Sequence, residues 1–251
     1  MARTASGSQA WIVLQRIDVA LLPGEAGEFE ADAFIVVDLF RATTNIATLF
    51  AAGVARLTAT ATIEEARLIA RERNALLCGE VGGVAPAGFD LGNSPVEAAA
   101  AAVAGREAVL FTTNGSRALC AVADRGLVIA GALANLGAAA RFVAARAERV
   151  LIVCAGDAEG RRFSLDDFAG AGAFVREIHG QAPMATAGDG ARLAARTSIE
   201  DARGSSHARI LAGLGLTADV EFALRMDTST AVPVVVSAAN GRAAMEDASR
   251  R

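Results

Sequence analysis

The chain has 251 residues, 53% of them hydrophobic, and a formal net charge of −4. That length suits one large α/β domain or two small ones, with enough apolar content for a sizeable core. The charge gives no basic footprint for nucleic acid. Because all 24 cationic residues are arginine, a Walker-type lysine, a Schiff base and a lysine general base are all excluded.

Tyrosine is absent and there are two histidines, so acid–base work falls mainly to carboxylates, hydroxyls and metal-bound water. Cys78, Cys120 and Cys154 lie far apart in apolar segments, without metal-ligand spacing. They read as small buried hydrophobes of a reducing compartment. The N-terminus lacks a signal-peptide pattern and no apolar run reaches transmembrane length, so the expectation is a cytoplasmic protein with no membrane partner.

Along the chain, Trp11 to Gln15 reads as a strand, with an edge position as one option, and Leu21 to Glu25 as a turn. Phe34 to Val37 is a continuous apolar, partly β-branched run, short enough to be a strand buried on both faces. It ends in Asp38, Arg41, Thr43 and Thr44, before a helical pattern from Asn45 to Ala52. Val54 to Thr60 predicts another strand, and Thr62 with Glu65 a capping box for a helix through Arg71. Ala75 to Cys78 is a short strand. The Gly/Pro-rich connection from Gly79 to Pro95 contains Val81, Val84, Phe89 and Leu91, which argues for an ordered loop packed on the body. Ser94-Pro95 supplies an N-cap and a first-turn proline for an alanine-rich helix to Ala104.

Ala108 to Thr113 predicts a strand running into Asn114-Gly-Ser-Arg117 and a helix to about Val122. Leu127 to Ala130 is a strand, Leu136 to Ala147 a helix and Val150 to Cys154 a strand. After the loop from Ala155 to Phe163, Ser164 and Asp167 form a second S-x-x-D box, opening a helix to about His179. From Ala185 to Leu224 the pattern is amphipathic and helical, in two or three pieces. Pro233 to Ser237 is a late strand, and the polar last dozen residues are expected to fray. The alternation predicts a three-layer α/β/α sandwich around a largely parallel or mixed sheet. It forms one domain over residues 1–251, with two closely packed halves as an option.

Ligands of open α/β sheets bind beyond the carboxyl ends of the strands. Four predicted loops lie there: Asp38 to Thr44, Gly79 to Ser94, Thr112 to Arg117, and Ala155 to Asp167. In a mostly parallel sheet all four would face one side. They would then gather the acids Asp38, Glu80, Asp90, Asp166 and Asp167 with Arg41, Arg117, Thr112, Thr113, Asn114 and Ser116. Purely structural roles compete. Asp38 can cap a strand end, and Thr43 and Thr44 a helix. Asn114-Gly115 can be only a tight turn, and Asp90 and Asn93 are common turn formers. Ser164 and Asp167 can be only a helix cap. His179 reads as a helix-end cation, and His207 as either capping scenery or a site donor. Glu80, between a buried strand and a glycine loop, has little cap or turn role.

The phrases VVDLFRATT, GEVGGVAPAGFDLGNSP, TTNGSRAL and CAG…FSLDD, in this order, resemble the 2-phosphosulfolactate phosphatase family. The resemblance runs from about Val36 to Asp167, with a looser tail around Ser206-His207 and Asp227 to Pro233. Ser116 stands where threonine is usual, Asp167 where glutamate is, and Ala208 where glycine often is. The resemblance implies a magnesium-dependent phosphatase acting on 2-phospho-3-sulfolactate, a step toward coenzyme M, on an α/β/α fold distinct from the Rossmann pattern. On that reading Asp38, Glu80 and Asp167, or Asp166 in place of Asp167, hold Mg²⁺. Asp38 is either a ligand or a nucleophile that forms an aspartyl-phosphate. Asp38, Arg41, Asp166, Asp167 and His207 form the catalytic set. Arg41, Thr43, Thr44, Asn93, Ser94, Thr113, Asn114, Gly115, Ser116 and Arg117 bind a small anionic phosphorylated substrate, the two arginines as bidentate clamps. A second copy of the chain is an open option as partner. The competing reading is a non-catalytic α/β module that binds an anionic metabolite or nucleotide through the same loops.

Overall fold

The computed structural model describes residues 12–250. A ten-stranded sheet runs through it, in the order β4-β5-β3-β10-β9-β6-β2-β7-β1-β8. The strands are β1 (Arg16–Ala20), β2 (Ala33–Val37), β3 (Arg56–Thr60), β4 (Leu76–Gly79), β5 (Glu107–Phe111), β6 (Leu127–Gly131), β7 (Arg149–Cys154), β8 (Thr186–Ala187), β9 (Pro233–Ala239) and β10 (Arg242–Asp247). Helices α1 (Ala42–Ala51), α2 (Ile63–Arg73), α3 (Pro95–Ala100), α4 (Gly115–Val122), α5 (Leu136–Ala144) and α6 (Leu165–Gln181) flank it. With them come the short helices α7 (Asp189–Ala194), α8 (Ile199–Arg203), α9 (Ser206–Gly213) and α10 (Thr217–Ala223). The architecture is a mixed α/β sheet covered on both faces by helices. No helix among the described residues is long and apolar enough to cross a membrane.

β2 is buried along its whole length, as a strand with helices on both faces requires. Its alternate residues feed two cores. Ile35 and Val37 join Phe174 and Ile178 of α6, while Phe34 and Val36 join Ile46 and Phe50 of α1 and Leu119 of α4. Thr62 caps α2, accepting from the Glu65 amide at 3.3 Å, but the reciprocal half of the expected capping box does not form, since the Glu65 carboxylate accepts from Arg242 instead.

Several boundaries differ from expectation. Trp11 lies outside the described residues, and 12–15 form no strand, so the first strand starts at Arg16. Leu21 to Glu25 runs into a 3-10 helix, Pro23–Glu28. In the Gly79–Ser94 loop Phe89 packs on the body, but Val81 and Val84 are exposed and pair with each other. Helix α3 stops at Ala100 rather than Ala104, because Ala101 turns extended and carries Val103 into the core. Cys78 and Cys154 are buried, whereas Cys120 is half-buried. The segment from Ala185 onward holds four short helices and the two-residue β8, not two or three helical pieces.

Through Arg250, the last described residue, the tail is built into the fold instead of fraying. β10 pairs with both β3 and β9 in the middle of the sheet, burying Ala243 and Met245. Asn240-Gly241, both at positive φ, make the hairpin turn that this dipeptide favours. The same pairings reverse the strand direction. β8, β1, β7, β2 and β6 run parallel, as do β4, β5 and β3. Antiparallel β9 and β10 lie between the two sets and leave them opposed. The four loops therefore do not share a side by strand direction. Neighbouring strands rotate by about 20–25° each, and five steps separate β2 from β5. That twist brings the loops after β2, β4 and β5 together, with α4 lying against β2 as well as β3.

Candidate active site

Asp38 follows β2 and is 6% exposed. Its loop is held by backbone-directed hydroxyls. The Asp38 amide donates to Thr43 Oγ1 at 3.0 Å, Thr43 Oγ1 donates to the Asp38 carbonyl, and Thr44 Oγ1 donates to the Leu39 carbonyl. Both threonines are buried and spent on this loop, so they shape the site rather than contact a substrate. Asp38 Oδ1 accepts from the Ala42 amide at 3.1 Å. Oδ2 has no donor among the described residues. Burial pushes the Asp38 carboxyl up to about 6. The charges of Asp166 and Glu80 push the same way, and His207 and the Ala42 amide oppose it.

Glu80, after β4, reaches the same cavity. Its Oε1 accepts from the Thr113 amide at 2.6 Å and its Oε2 from the Gly83 amide at 2.7 Å. Arg41 also lines the cavity and is 3% exposed. Its Nη1 donates to Asp219 Oδ2 at 2.6 Å and its Nη2 to the Gly83 carbonyl at 2.7 Å. His207, from the first turn of α9, closes the far side with Nδ1 3.5 Å from Asp166 Oδ2. Burial pulls the His207 pKa down, but the Asp166 hydrogen bond and charge, with Asp38 and Asp157, outweigh it and hold the imidazole above its ordinary value. The cavity holds about 160 Å³.

The arrangement can do a definite kind of chemistry. Asp38, Glu80 and Asp157 against Arg41 and His207 leave the cavity net negative, and Arg41 is already matched by Asp219. Asp157 is in turn paired with Arg162, which leaves Asp38 and Glu80, among the described residues, as the carboxylates of the cavity without a cationic partner. Free oxygen on Asp38 beside a second carboxylate is a donor set for a hard cation that keeps waters and phosphate as its other ligands. Among the described residues no three His, Cys, Asp or Glu side chains converge as a metal cluster.

The family model for 2-phosphosulpholactate phosphatase matches residues 21–238. The chain belongs to that family. It is 41% identical over 231 residues to a probable 2-phosphosulfolactate phosphatase of Deinococcus radiodurans, covering 88% of this chain and 93% of the relative. A protein of the same name from Thermus thermophilus is 41% identical over 228 residues, with 88% and 94% covered. One from Thermotoga petrophila is 38% identical over 228 residues, with 88% and 96% covered. Membership makes the chain a phosphoric monoester hydrolase.

Of the residues singled out in the sequence, the cavity gathers Asp38, Arg41, Glu80, Asn93, Thr113, Asn114 and His207. Asp166 stands behind His207 as its partner, with Oδ1 taken by Ser164 Oγ. Asp167 does not reach the cavity as a ligand. Its oxygens accept from the Leu39 and Gly156 amides, both at 2.9 Å, and tie the loops after β2 and β7 together. Ser94 caps α3 and donates to Asp219 Oδ1. Ser116 is fully buried, exchanging hydrogen bonds with Thr112. Gly115 packs so closely that an added Cβ would collide with Asp38 Oδ2 and the Ala42 methyl. It is required by close approach, not by a left-handed turn. Arg117 leaves the site, pairing with Glu159 at 3.3 Å beside a different cavity. Sequence reasoning missed Asp219, Asp157 and the wall of Phe40, Leu211 and Leu214. An aspartate in the first turn of a helix reads as a cap, so Asp219 gave no signal of its own.

Proposed function

We propose that the chain is a Mg²⁺-dependent phosphatase that removes phosphate from 2-phospho-3-sulfolactate or a closely similar small phosphorylated acid. The observation carrying this reading is the convergence, in one small cavity, of two carboxylates, a fixed arginine and an Asp166–His207 pair. Asp38 and Glu80 would hold the ion; when bound, it supplies charge to polarise the phosphoryl oxygens and to lower the pKa of a water. The added cation also offsets the carboxylates that would otherwise repel a phosphate, carboxylate or sulfonate.

The protein groups have separate tasks. Asp166 Oδ2 stands 3.5 Å from Nδ1, on the Asp166 side of the imidazole. With its pKa held up, His207 is the group placed to give a proton to the departing alkoxide oxygen as that P–O bond breaks and the oxygen of an attacking water bonds to phosphorus. Arg41, anchored through two of its five N–H groups, offers the rest to an anionic oxygen. Phe40, Leu211 and Leu214 narrow the solvent around the reacting group. The acid–base pair favours this reading over a non-catalytic binding module, which needs no proton donor. The route toward coenzyme M is the expectation tied to the sulfolactate substrate, and a relative acting on another phosphorylated acid would use the same groups. A phosphate-release screen over small phosphorylated acids tests the proposal. The expected result is preference for substrates with a second anionic group next to the ester, and equal rates for neutral phosphate esters would overturn it.

A further inference from the structure

Asp219 has no part in the family phrases of the sequence, yet its carboxylate joins three segments of the site. Oδ2 accepts from Arg41 Nη1 at 2.6 Å, 178 positions away, and Oδ1 accepts from Ser94 Oγ at 2.6 Å, 125 positions away. Both members of the ion pair are 3% exposed. Asp219 lies in the first turn of α10, where an acid ordinarily accepts from its own helix's orphan amides. Here it does not. The amide of Asp219 bonds to the Leu216 carbonyl, and both carboxylate oxygens turn away toward Arg41 and Ser94. Arg41 itself sits at the N-cap of α1 without a side-chain cap bond, and among the described residues its guanidinium has one other hydrogen-bond partner, the Gly83 carbonyl.

From this geometry we infer that Asp219 is a positioning residue, which sets the orientation of the Arg41 guanidinium in the cavity and thereby the binding of the substrate's anionic group. The inference rests on the phosphatase reading of the same site. Asp219 does not line the cavity, so its effect passes through Arg41. A planar guanidinium held at Nη1 and Nη2 has its remaining N–H groups fixed in direction. Released from Asp219 it would lose that alignment, and its buried charge would be left unmatched.

The test is a double-mutant cycle on R41A, D219A, D219N and R41A/D219A, reading kcat/KM for the best phosphorylated acid together with thermal midpoints. D219A is expected to lower kcat/KM about 10- to 100-fold, the scale of a small misplacement in a site. D219N keeps an acceptor oxygen for Arg41 and is expected to stay within about tenfold of wild type. R41A/D219A is expected to match R41A alone, because removing Asp219 costs nothing further once its client is gone. Multiplicative losses in the double variant would overturn the inference, as would D219A with wild-type kinetics beside an impaired R41A. If D219A does not fold, D219N and R41A/D219N carry the same comparison. If the wild type itself releases no phosphate, the phosphatase reading fails by itself. The same cycle is then read from calorimetric binding of inorganic phosphate, where additive effects would sink the Arg41–Asp219 coupling.

Discussion

Replacing Asp38 by asparagine separates function from stability in a way the structure makes quantitative. The buried carboxyl titrates at about 6 instead of the ordinary 3.8. The folded protein thus keeps this proton where the unfolded chain has lost it. Stability from this group falls as pH rises from about 4 to about 6, and the full penalty persists above that. At about 1.4 kcal/mol per pH unit the ceiling is about 3 kcal/mol. Asparagine removes the charge, but its amide must find an acceptor beside Gly115, so about 1–2 kcal/mol is the expected net gain at pH 8. For a chain of this size that is a rise of roughly 2–8 °C in Tm. The assay is thermal denaturation of both proteins from pH 4 to pH 8 in chelator, with phosphate release measured alongside. D38N should melt higher at pH 8, lose that advantage near pH 4, and turn over at least about 100-fold more slowly. It should also lose the Tm increase that Mg²⁺ gives the wild type. A D38N protein melting below wild type at pH 8 would show that the carboxylate is a structural clamp and refute the reasoning.

Four further substitutions probe the site and its surroundings. D166N removes the main group holding the His207 pKa up, leaving burial to lower it, so the alkaline limb of the kcat–pH profile should move to lower pH; an unmoved limb would take the proton-donor role from His207. R41K keeps the charge but loses the planar fork, and should cost about 1–3 kcal/mol in transition-state stabilisation. R117K should be nearly silent because Arg117 pairs with Glu159 outside the cavity; equal kinetic losses at both positions would contradict this placement. G115V should lower Tm and activity together, since the new side chain meets Asp38 and Ala42; loss of phosphate binding with an unchanged Tm would point instead to a pure anion loop.

Most strands were legible because their runs are short, apolar and bounded by turn chemistry, as at Phe34 to Val37. β10 was not, because RAAMED carries one large apolar residue, Met245, in a polar-looking tail, and the Asn240-Gly241 signal was the clue to its hairpin. The reversed direction of β3, β4 and β5 depends on where β10 inserts, a non-local fact. At the site, Glu80 stood out because a charge between a buried strand and a glycine loop has little cap or turn role, while Asp38 read equally as a strand cap or a ligand. Thr43, Thr44, Ser116 and Asp167 carried the same ambiguity, and only the hydrogen-bond partners show them spent on the backbone. Arg117 follows a strand like Arg41 does, but on the first turns of α4 it points to Glu159 instead. The Arg41–Asp219 and His207–Asp166 pairs join residues too far apart in sequence for periodicity to connect.

On the proposed reading, Asp38 and Glu80 in a net negative cavity need a divalent cation before an anionic ester can be hydrolysed. The decisive experiment is phosphate release from the preferred phosphorylated acid, with the wild-type protein first stripped by chelator and Mg²⁺ then titrated back. Release should vanish in chelator and return saturably with Mg²⁺; undiminished hydrolysis in chelator would show that these carboxylates serve no metal.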